Sequence, residues 1–567
     1  MDFEKTCERC SQTFLISAQD LSFYEKVSPR FDGEKILILP PTLCPDCRLQ
    51  SRLAMRNERV LYRGTCGRCK KLMLSIYSPD KTIPVYCNAC WWGDSWEALD
   101  YGREYDPDQG FFSQFTALWQ QLPRLGLIQF SEMQNSDYTH DVLRLKNCYL
   151  VFDGEQAVDC LYGETFALIR DCVDFLKMQR SELCYECINC SDCYNLRYSR
   201  FCYHSSDSAF LLDCVACRNC FSCVNLCQRQ YCFFNEQLEK DEYVRRVKEF
   251  ASGSFAAVRQ MHQRVAELFL KFPRRAYRGQ RSENVSGDNL SSCKDSFDCY
   301  DSENLRDCRF CTNCLMGAAD CYDLDIWGND TQLVYNSAMS GEGAHSVIGG
   351  YYCCYGVSRV FYSAFCTHNC HNLFGCVGLR QKQYCILNKQ YSAEDFERIA
   401  KQIAARLRSI ERWGEYFPES FSDFGYNETV ANEFYPLKRE PALALGFRWS
   451  DYENPDPQAV QIWDAAELPD GIGEADERFL NGAVRCEISN RVFRITRAEF
   501  EYYQRHSIPL PRRHPDERHR DRLSLRPRRK LWTRTCPSCS ERMQTSYSPG
   551  EPEQVLCERC YQKLVFE

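Results

Sequence analysis

The chain has 567 residues, of which 44% are hydrophobic and 14% aromatic, with a net charge of −8 and 39 cysteines. This composition excludes a largely disordered chain, and the length predicts several folded units at roughly 100–200 residues each. No apolar run approaches the roughly 18 residues of a membrane span, and the start MDFEKTCERC lacks a secretory pattern. We therefore expect a cytoplasmic protein with no membrane partner, whose reduced cysteines bind metal or pack as small apolar side chains.

Residues 1–100 are predicted to form tandem zinc ribbons. Two cysteines separated by two residues form a knuckle, and two knuckles bring four thiolates into the tetrahedral arrangement that a structural zinc ion prefers. The region contains two such sets, Cys7/Cys10/Cys44/Cys47 and Cys66/Cys69/Cys87/Cys90. A site with four protein ligands is closed, so neither set would leave a position for a substrate.

Residues 135–391 are predicted to form a Cys-rich β-solenoid with a helical insertion at about 241–272. From Cys148 to Cys385 there are 26 cysteines, many of them 9 or 12 residues apart, in short β-type segments separated by Asn, Asp, Ser and Gly. The sum of the two spacings predicts turns of 21 residues, with Cys193 and Cys214 stacked on adjacent turns. We expect most of these cysteines to be buried thiols, with scattered metal sites as the alternative.

The solenoid region is duplicated, because FSCVNLCQRQYCFFN at 221–235 matches FGCVGLRQKQYCILN at 374–388. A helix is predicted after each copy, and the second begins at Ser392 with Phe396 and Ile399 on its apolar face. Residues 392–470 are predicted to be a capping helix and a connector that wraps over the solenoid. Such a helix would cover the exposed strand edges of the last turn.

Residues 480–567 are predicted to form a degenerate ribbon followed by a zinc ribbon, and they copy the N-terminal region at an offset of 470. The intact ribbon supplies the third zinc set, Cys536/Cys539/Cys557/Cys560. In the degenerate ribbon the four ligand positions are Cys486, Ser489, His514 and Glu517. Because a Ser hydroxyl stays protonated at neutral pH, we expect this ribbon to fold without metal around residues such as Phe493 and Phe500. A Cys-His-Glu site completed by water is the alternative.

Several segments resemble a family of Cys-rich zinc-ribbon proteins from candidate-phylum bacteria with small genomes. They are PPTLCPDCRLQSRLAMRNERVLYRGTC, KNCYLVFD, FGCVGLRQKQYCILNKQY and the tail from LPRRHPDERHRDRL to CERCY. The similarity extends over nearly the whole chain. The single ribbons also resemble a widespread class of zinc-binding ribbon domains. Neither resemblance implies an activity.

No catalytic motif stands out, since HExxH, GxSxG and phosphate-loop patterns are missing from the sequence. The group Cys366, His368, Cys370 and His371 could form a fourth metal site, but polar residues at a solenoid turn explain it more simply. Likewise Asp320, Asp323 and Asp325 could bind a cation or a sugar, with a solvated turn as the simpler interpretation. We therefore expect no catalytic residues, and keep a carbohydrate-acting enzyme with a solenoid groove as an alternative.

Basic residues concentrate beside the ribbons, with a net charge of +8 over residues 505–534 and +4 over 48–63. Eight of these arginines occupy matching positions in the two copies: Arg48, Arg52, Arg56, Arg59, Arg518, Arg522, Arg526 and Arg529. Because the guanidinium fork suits phosphate, they are candidate contacts for nucleic acid or a ribonucleoprotein. Nearby aromatic side chains could stack on unpaired bases, namely Tyr62, Trp91, Trp92 and Trp532.

The competing interpretation is that these arginines pair with acids of the solenoid and attach the ribbons to it. The protein would then be a scaffold that recognises another protein and no nucleic acid. Both hypotheses describe a non-catalytic, zinc-binding protein with three structural zinc ions.

Overall fold

The computed structural model describes residues 2–248, 250 and 253–566. Two stretches of parallel β-solenoid form its body, and small ribbons with Cys clusters lie near both ends of the chain. The predicted fold class is therefore confirmed. Residues 1, 249, 251, 252 and 567, which the predicted domains include, lie outside the described residues. Within the described ranges, no helix is long and apolar enough to cross a bilayer.

The first solenoid segment pairs its strands in parallel at a constant spacing. Tyr149 lies beside Leu161 and Leu161 beside Val173, so one turn takes 12 residues. The strands are Gln129–Gln134, Thr139–Lys146, Tyr149–Val158, Leu161–Arg170, Val173–Glu182, Ile188–Ser191, Tyr194–Arg197, Ser206–Leu212, Phe221–Val224, Cys232–Phe233 and the antiparallel Glu236–Gln237.

A pattern of three residues explains the 12-residue turn. Every third side chain is buried inside the solenoid, as Cys184, Cys187, Cys190 and Cys193 are in one turn. The residue two positions after each inward one has a positive φ, for example 51° at Asn189 and 57° at Asp192. A left-handed residue bends the strand, and Asn and Asp tolerate that conformation better than most residues. Four such bends close each turn.

The predicted 21-residue turn is wrong, and Cys193 and Cys214 do not stack. The backbone N–H of Cys193 donates to Ser181 Oγ, one turn earlier, at 3.1 Å. Likewise the N–H of Cys217 donates to Ser205 Oγ, 12 residues earlier, at 3.1 Å. The error arises because spacings of 9 and 12 are both multiples of three. Nine residues therefore span three sides of a turn and do not add to the next one.

The solenoid cysteines are buried thiols, as predicted, with Cys227 alone among these 26 half-buried. Their sulfurs donate to backbone carbonyls inside the coil, as Cys172 Sγ does to the oxygen of Arg170 at 3.2 Å. Serine occupies other inward positions with the same contact, as Ser181 Oγ donates to the oxygen of Gln179 at 2.7 Å. The narrow core therefore selects small side chains that can satisfy a nearby carbonyl.

The second solenoid segment changes from turns of 12 to turns of 13 residues. Val334 pairs with Val347 and Val347 with Val360. The added residue lies at one bend, where Glu342 and Gly343 both have positive φ. The strands are Gly279–Gln280, Glu283–Ser291, Lys294–Glu303, Leu305–Arg306, Ala318–Ala319, Tyr322–Gly328, Thr331–Gly341, His345–Ile348, Ser358–Phe361, His371–Phe374, Gln383–Ile386 and the antiparallel Lys389–Gln390.

Each segment ends in an antiparallel hairpin followed by a helix. The helix after the first segment is Lys240–Lys248, and a second helix, Phe255–Leu270, follows it. The helix after the second segment, Ala393–Ser409, begins where predicted: Ser392 Oγ accepts the Asp395 N–H at 3.0 Å. Its buried face, which includes Phe396 and Ile403, covers the last turn.

Four ribbons, two at each end of the chain, are built on antiparallel strand pairs. These are Phe3–Thr6 with Thr13–Ile16, Tyr62–Thr65 with Leu72–Ser75, Ala483–Arg485 with Val492–Phe493, and Trp532–Thr535 with Arg542–Thr545. Their helices are Ala18–Val27, Pro45–Leu53, Asn88–Trp92, Arg497–His506, Pro515–Ser524 and Glu558–Phe566. The second and fourth ribbons each add a parallel strand to the chain just before a solenoid segment, Val85–Tyr86 beside Arg124–Leu125 and Val555–Leu556 beside Arg274–Arg275.

The remaining elements are short and connect these units. The helices are Phe111–Gln121, Val430–Phe434, Arg439–Ala444 and Arg478–Asn481, and the strands are Arg30–Phe31, Glu34–Lys35 and Ile462–Asp464. The connector after Ser409 packs aromatic side chains into the core, where Phe417 and Phe421 stack on Phe115.

Candidate metal centres and arginine contacts

The first tetrad brings Cys7, Cys10, Cys44 and Cys47 together, with all sulfurs within 4.8 Å of one another. Cys44 is the N-cap of helix Pro45–Leu53. Its sulfur lies 3.6 Å from that of Cys10, and its N–H donates to the sulfur of Cys7 at 3.3 Å. The knuckle and the helix start therefore hold the four thiols in one cluster.

The second and third tetrads repeat this arrangement. The N–H of Cys87 donates to Cys66 Sγ at 3.4 Å, and that of Cys557 to Cys536 Sγ at 3.5 Å. The sulfurs of Cys69 and Cys87 are 3.9 Å apart, and those of Cys539 and Cys557 are 3.6 Å apart. A tetrahedron of sulfurs around zinc, with bonds of about 2.3 Å, has edges of about 3.8 Å. All three tetrads could therefore hold a metal ion of this size.

Backbone donors favour thiolates in the second and third tetrads. Burial alone would raise the pKa of Cys66, but N–H groups of Cys87, Cys69 and Arg68 lower that pKa to about 6. The same arrangement lowers the pKa of Cys536 to about 6. Conversely, burial and hydrogen bonds with neighbouring cysteines raise the pKa of Cys90 to about 12. A cation among the four sulfurs would favour the remaining thiolates, as in metal–thiolate sites generally.

The degenerate ribbon folds without a comparable cluster. Cys486, His514 and Glu517 do not form a ligand group in the part of the chain that the structure describes. His514 occupies the place of Cys44 as N-cap of helix Pro515–Ser524, and its Nδ1 accepts the Asp516 N–H at 3.1 Å. Buried residues Phe493, Ile495, Phe500 and Tyr503 form its core.

Helix Pro45–Leu53 of the N-terminal ribbons docks on the second solenoid segment through buried arginines. Arg48 Nε donates to Asp323 Oδ2 at 2.9 Å, and Arg52 Nη1 lies 3.2 Å from Asp323 Oδ1. Both guanidinium groups and the carboxylate are at most 2% exposed. Just beyond the helix, Arg56 pairs with Asp325, which is also buried. The interpretation of Asp323 and Asp325 as a solvated turn is therefore wrong.

Helix Pro515–Ser524 of the C-terminal ribbons docks in the same way on the first segment. Arg522 Nη1 binds Asp174 Oδ1 at 2.9 Å, and Arg518 pairs with the other oxygen of this carboxylate. The other matched arginines also have carboxylate partners: Arg59 with Glu164, and Arg526 and Arg529 with Asp301. All eight arginines that the sequence offered for nucleic acid therefore have an internal carboxylate partner.

The aromatic candidates for base stacking lie mostly in the protein interior. Tyr62 and Trp91 are each 2% exposed. Trp92 is half-buried and packs on His368 and Phe130. Trp532 is also half-buried. These contacts account for the side chains as packing residues.

The group around Cys366 divides between the two faces of the solenoid. Cys366 and Cys370 are buried and donate to backbone carbonyls at 3.5 and 3.2 Å. His371 contacts Ser358 Oγ at 2.7 Å through Nδ1. Across the described ranges, this group is not among those whose ligand atoms come together.

One further group was not predicted from the sequence. Glu164, Glu433 and His519 bring their ligand atoms within 4.8 Å of one another, although they are far apart along the chain. Glu164 lies on strand Leu161–Arg170, Glu433 on helix Val430–Phe434 and His519 on helix Pro515–Ser524. Residues so distant in sequence carry no spacing signal, so only the fold shows this group.

Together the fold and the clusters define a Cys-rich β-solenoid protein whose ribbon modules could bind metal. No family model, curated protein or solved structure matches the chain. The functional argument therefore depends on the geometry of this protein alone.

Proposed function

We propose that the protein is a non-catalytic, zinc-binding scaffold in which the terminal ribbons clamp the two solenoid segments. The observation that carries this proposal is the reciprocal docking of the ribbon helices. The N-terminal helix binds Asp323 in the second segment, and the C-terminal helix binds Asp174 in the first. Contacts of this kind tie the two ends of the chain to its middle.

The donor set supports zinc as the metal. Four thiolates select soft or borderline ions over Mg²⁺ and Ca²⁺, which prefer oxygen. The sulfur separations of 3.6 and 3.9 Å suit Zn–S bonds of about 2.3 Å in a tetrahedron. A site filled by four cysteines leaves no position for substrate, which supports a structural role.

Zinc would act on docking through the start of helix Pro45–Leu53. Cys44 caps this helix and Cys47 lies in its first turn, directly before Arg48. A metal bound to both cysteines would fix the helix start and the direction of its arginines. The matching C-terminal helix starts at His514 instead and has no cysteine tetrad.

We propose a protein as the partner of this scaffold, because the matched arginines are paired inside the chain. A nucleic acid would have to use other cations, of which Arg63 and Arg528 are exposed at one cleft. Binding of single-stranded RNA across a salt series, with Arg63→Ala/Arg528→Ala as the variant, distinguishes the two. Wild-type binding that weakens in the variant, with a shallower salt slope, would replace the protein partner by nucleic acid.

The scaffold itself is tested by metal analysis and limited proteolysis of the full chain. We expect three zinc ions per chain, one for each tetrad. Chelation should expose the segment around Arg48 and Arg52 to trypsin while the zinc-free helix around Arg518 and Arg522 stays protected. One zinc or none, or equal exposure of both helices, would contradict the proposal.

A further inference from the structure

The group of Glu164, Glu433 and His519 has the dimensions of a metal site. His519 Nε2 lies 3.4 Å from Glu164 Oε2 and 3.5 Å from Glu433 Oε1. Bonds of about 2.1 Å from zinc to nitrogen and oxygen give tetrahedral edges of about 3.4 Å. The observed separations are those of ligands arranged around a shared ion.

A direct salt bridge explains these distances less well. Charge-assisted hydrogen bonds between nitrogen and carboxylate are about 2.7–2.9 Å long, shorter than both contacts of His519. The His519 side chain is 2% exposed, and among the described residues neither ring nitrogen has a hydrogen-bond partner. Oε2 of Glu433 is buried and unpartnered within the same residues. Polar atoms left in this state are costly, and a bound ion would satisfy Nε2.

The N-terminal copy of the helix shows that His519 is not required by the packing. Leu49 occupies the matching position, by the offset of 470, and packs against Tyr426 and Val430 in an apolar cluster. The first copy therefore uses this position for hydrophobic contact. Only the C-terminal copy places an imidazole there, opposite two carboxylates.

We propose that Glu164, Glu433 and His519 bind a fourth metal ion, a divalent first-row transition metal such as Mn²⁺ or Zn²⁺. An imidazole with two carboxylates suits these ions better than a thiolate tetrad suits Mn²⁺. Arg59 lies 3.4 Å from the same Glu164 oxygen and offsets one of the two negative charges. The ion would border a cleft of about 1760 Å³ that Glu433 and His519 line. Three protein ligands would leave a position open towards this cleft, unlike the closed tetrads.

The test is a titration of the full chain, with zinc in its three cysteine sites, by Mn²⁺ followed by electron paramagnetic resonance. The wild type should bind one Mn²⁺ per chain. His519→Leu introduces the side chain of the matching position and should weaken Mn²⁺ binding at least tenfold without removing the three zinc ions. Glu433→Gln, nearly isosteric, should do the same if the leucine variant fails to fold. His204→Leu changes an exposed histidine of the first segment and should bind Mn²⁺ like the wild type.

Failure of the wild type to bind Mn²⁺, with zinc content fixed at three, would overturn the fourth site. It would assign the group to an imidazolium held between two carboxylates. Equal Mn²⁺ binding by wild type, His519→Leu and Glu433→Gln would also overturn it. Neither result affects the three cysteine sites, whose zinc content is measured separately.

Discussion

The carboxylate of Asp174, in the first solenoid segment, binds the guanidinium of Arg522 from the C-terminal ribbons at 2.9 Å. Arg522 is 1% exposed and Asp174 fully buried. Asp323 and Arg52 form the matching pair at the other end of the chain, at 3.2 Å. Two copies of one helix thus dock on two copies of one solenoid by the same contact.

Loss of either aspartate should release the ribbon helix that it holds. Asp174→Asn leaves Arg518 and Arg522 buried without their shared negative partner, and breaking a buried ion pair costs about 3–5 kcal/mol. We expect a lower melting temperature and new trypsin cleavage at the C-terminal helix. Asp323→Asn should instead expose Arg48 and Arg52, as limited proteolysis with mass spectrometry would show.

Asp192→Asn serves as the control for both variants. Asp192 pairs with Arg180 on the solenoid surface, where Arg180 is 52% exposed, and exposed pairs contribute about 0–1 kcal/mol. If Asp174→Asn changes cleavage no more than Asp192→Asn does, the buried pair does not hold the helix.

The local features of this architecture are visible in the sequence. Cysteine spacing predicts the three tetrads, and the mixture of β-type residues with Asn and Asp predicts a solenoid. The size of the turn is harder to obtain, because inward residues recur every third position. Spacings of 9 and 12 fit several periods, and only strand pairing such as Leu161 with Val173 selects one.

Contacts between distant segments could not be predicted. The arginine pattern of helix Pro45–Leu53 indicates a single charged face, but its partner Asp323 lies 275 residues further along. A phosphate and a buried carboxylate are equally good partners for such a face. The same holds for His519, whose neighbours Glu164 and Glu433 come from unrelated segments.

Cys66→Ser should remove one metal ion per chain, because a serine hydroxyl stays protonated at neutral pH and a thiolate does not. Metal analysis of the purified protein measures the loss directly. Cys486→Ser is the matched control: Cys486 occupies the equivalent position in the degenerate ribbon, and we expect no change in metal content. A metal ion lost from the Cys486 variant would reveal a site that the structure does not assign.

Inward cysteines of the solenoid should tolerate serine better than larger residues. Cys187 donates to the Tyr185 oxygen at 3.5 Å, and Ser199, one turn later, makes the equivalent contact with Arg197 at 2.8 Å. Cys187→Ser should therefore cost about 1 kcal/mol in the free energy of unfolding, as for a small hydrogen-bonding change. Cys187→Leu overfills the core and should cost about 1–3 kcal/mol.

Denaturant titration of both Cys187 variants provides the comparison. A serine variant less stable than the leucine variant would mean that apolar volume, and not the contact with a carbonyl, governs the solenoid core.

Asp141 should make stability fall as the pH rises. Burial, with Asp153 close by, raises the pKa of Asp141 to about 7, above the unfolded value of about 3.9. The folded state therefore holds a proton that the unfolded state releases, and stability decreases between about pH 4 and pH 7. Asp141→Asn cannot ionise and keeps a residue that tolerates the φ of 53°. It should be more stable than the wild type by about 2 kcal/mol at pH 8 and similar to it near pH 4.

Asp192→Asn should show the opposite sign, and thermal unfolding at pH 4 and pH 8 compares the two variants. The hydrogen bond from Arg180 lowers the pKa of Asp192, so its carboxylate stabilises the folded state above the unfolded pKa and loses this effect as the pH falls. Asp192→Asn should therefore be slightly less stable than the wild type at pH 8, with a small effect because the pair is exposed. An Asp141→Asn gain that is the same at both pH values would show that ionisation of Asp141 is not its cause.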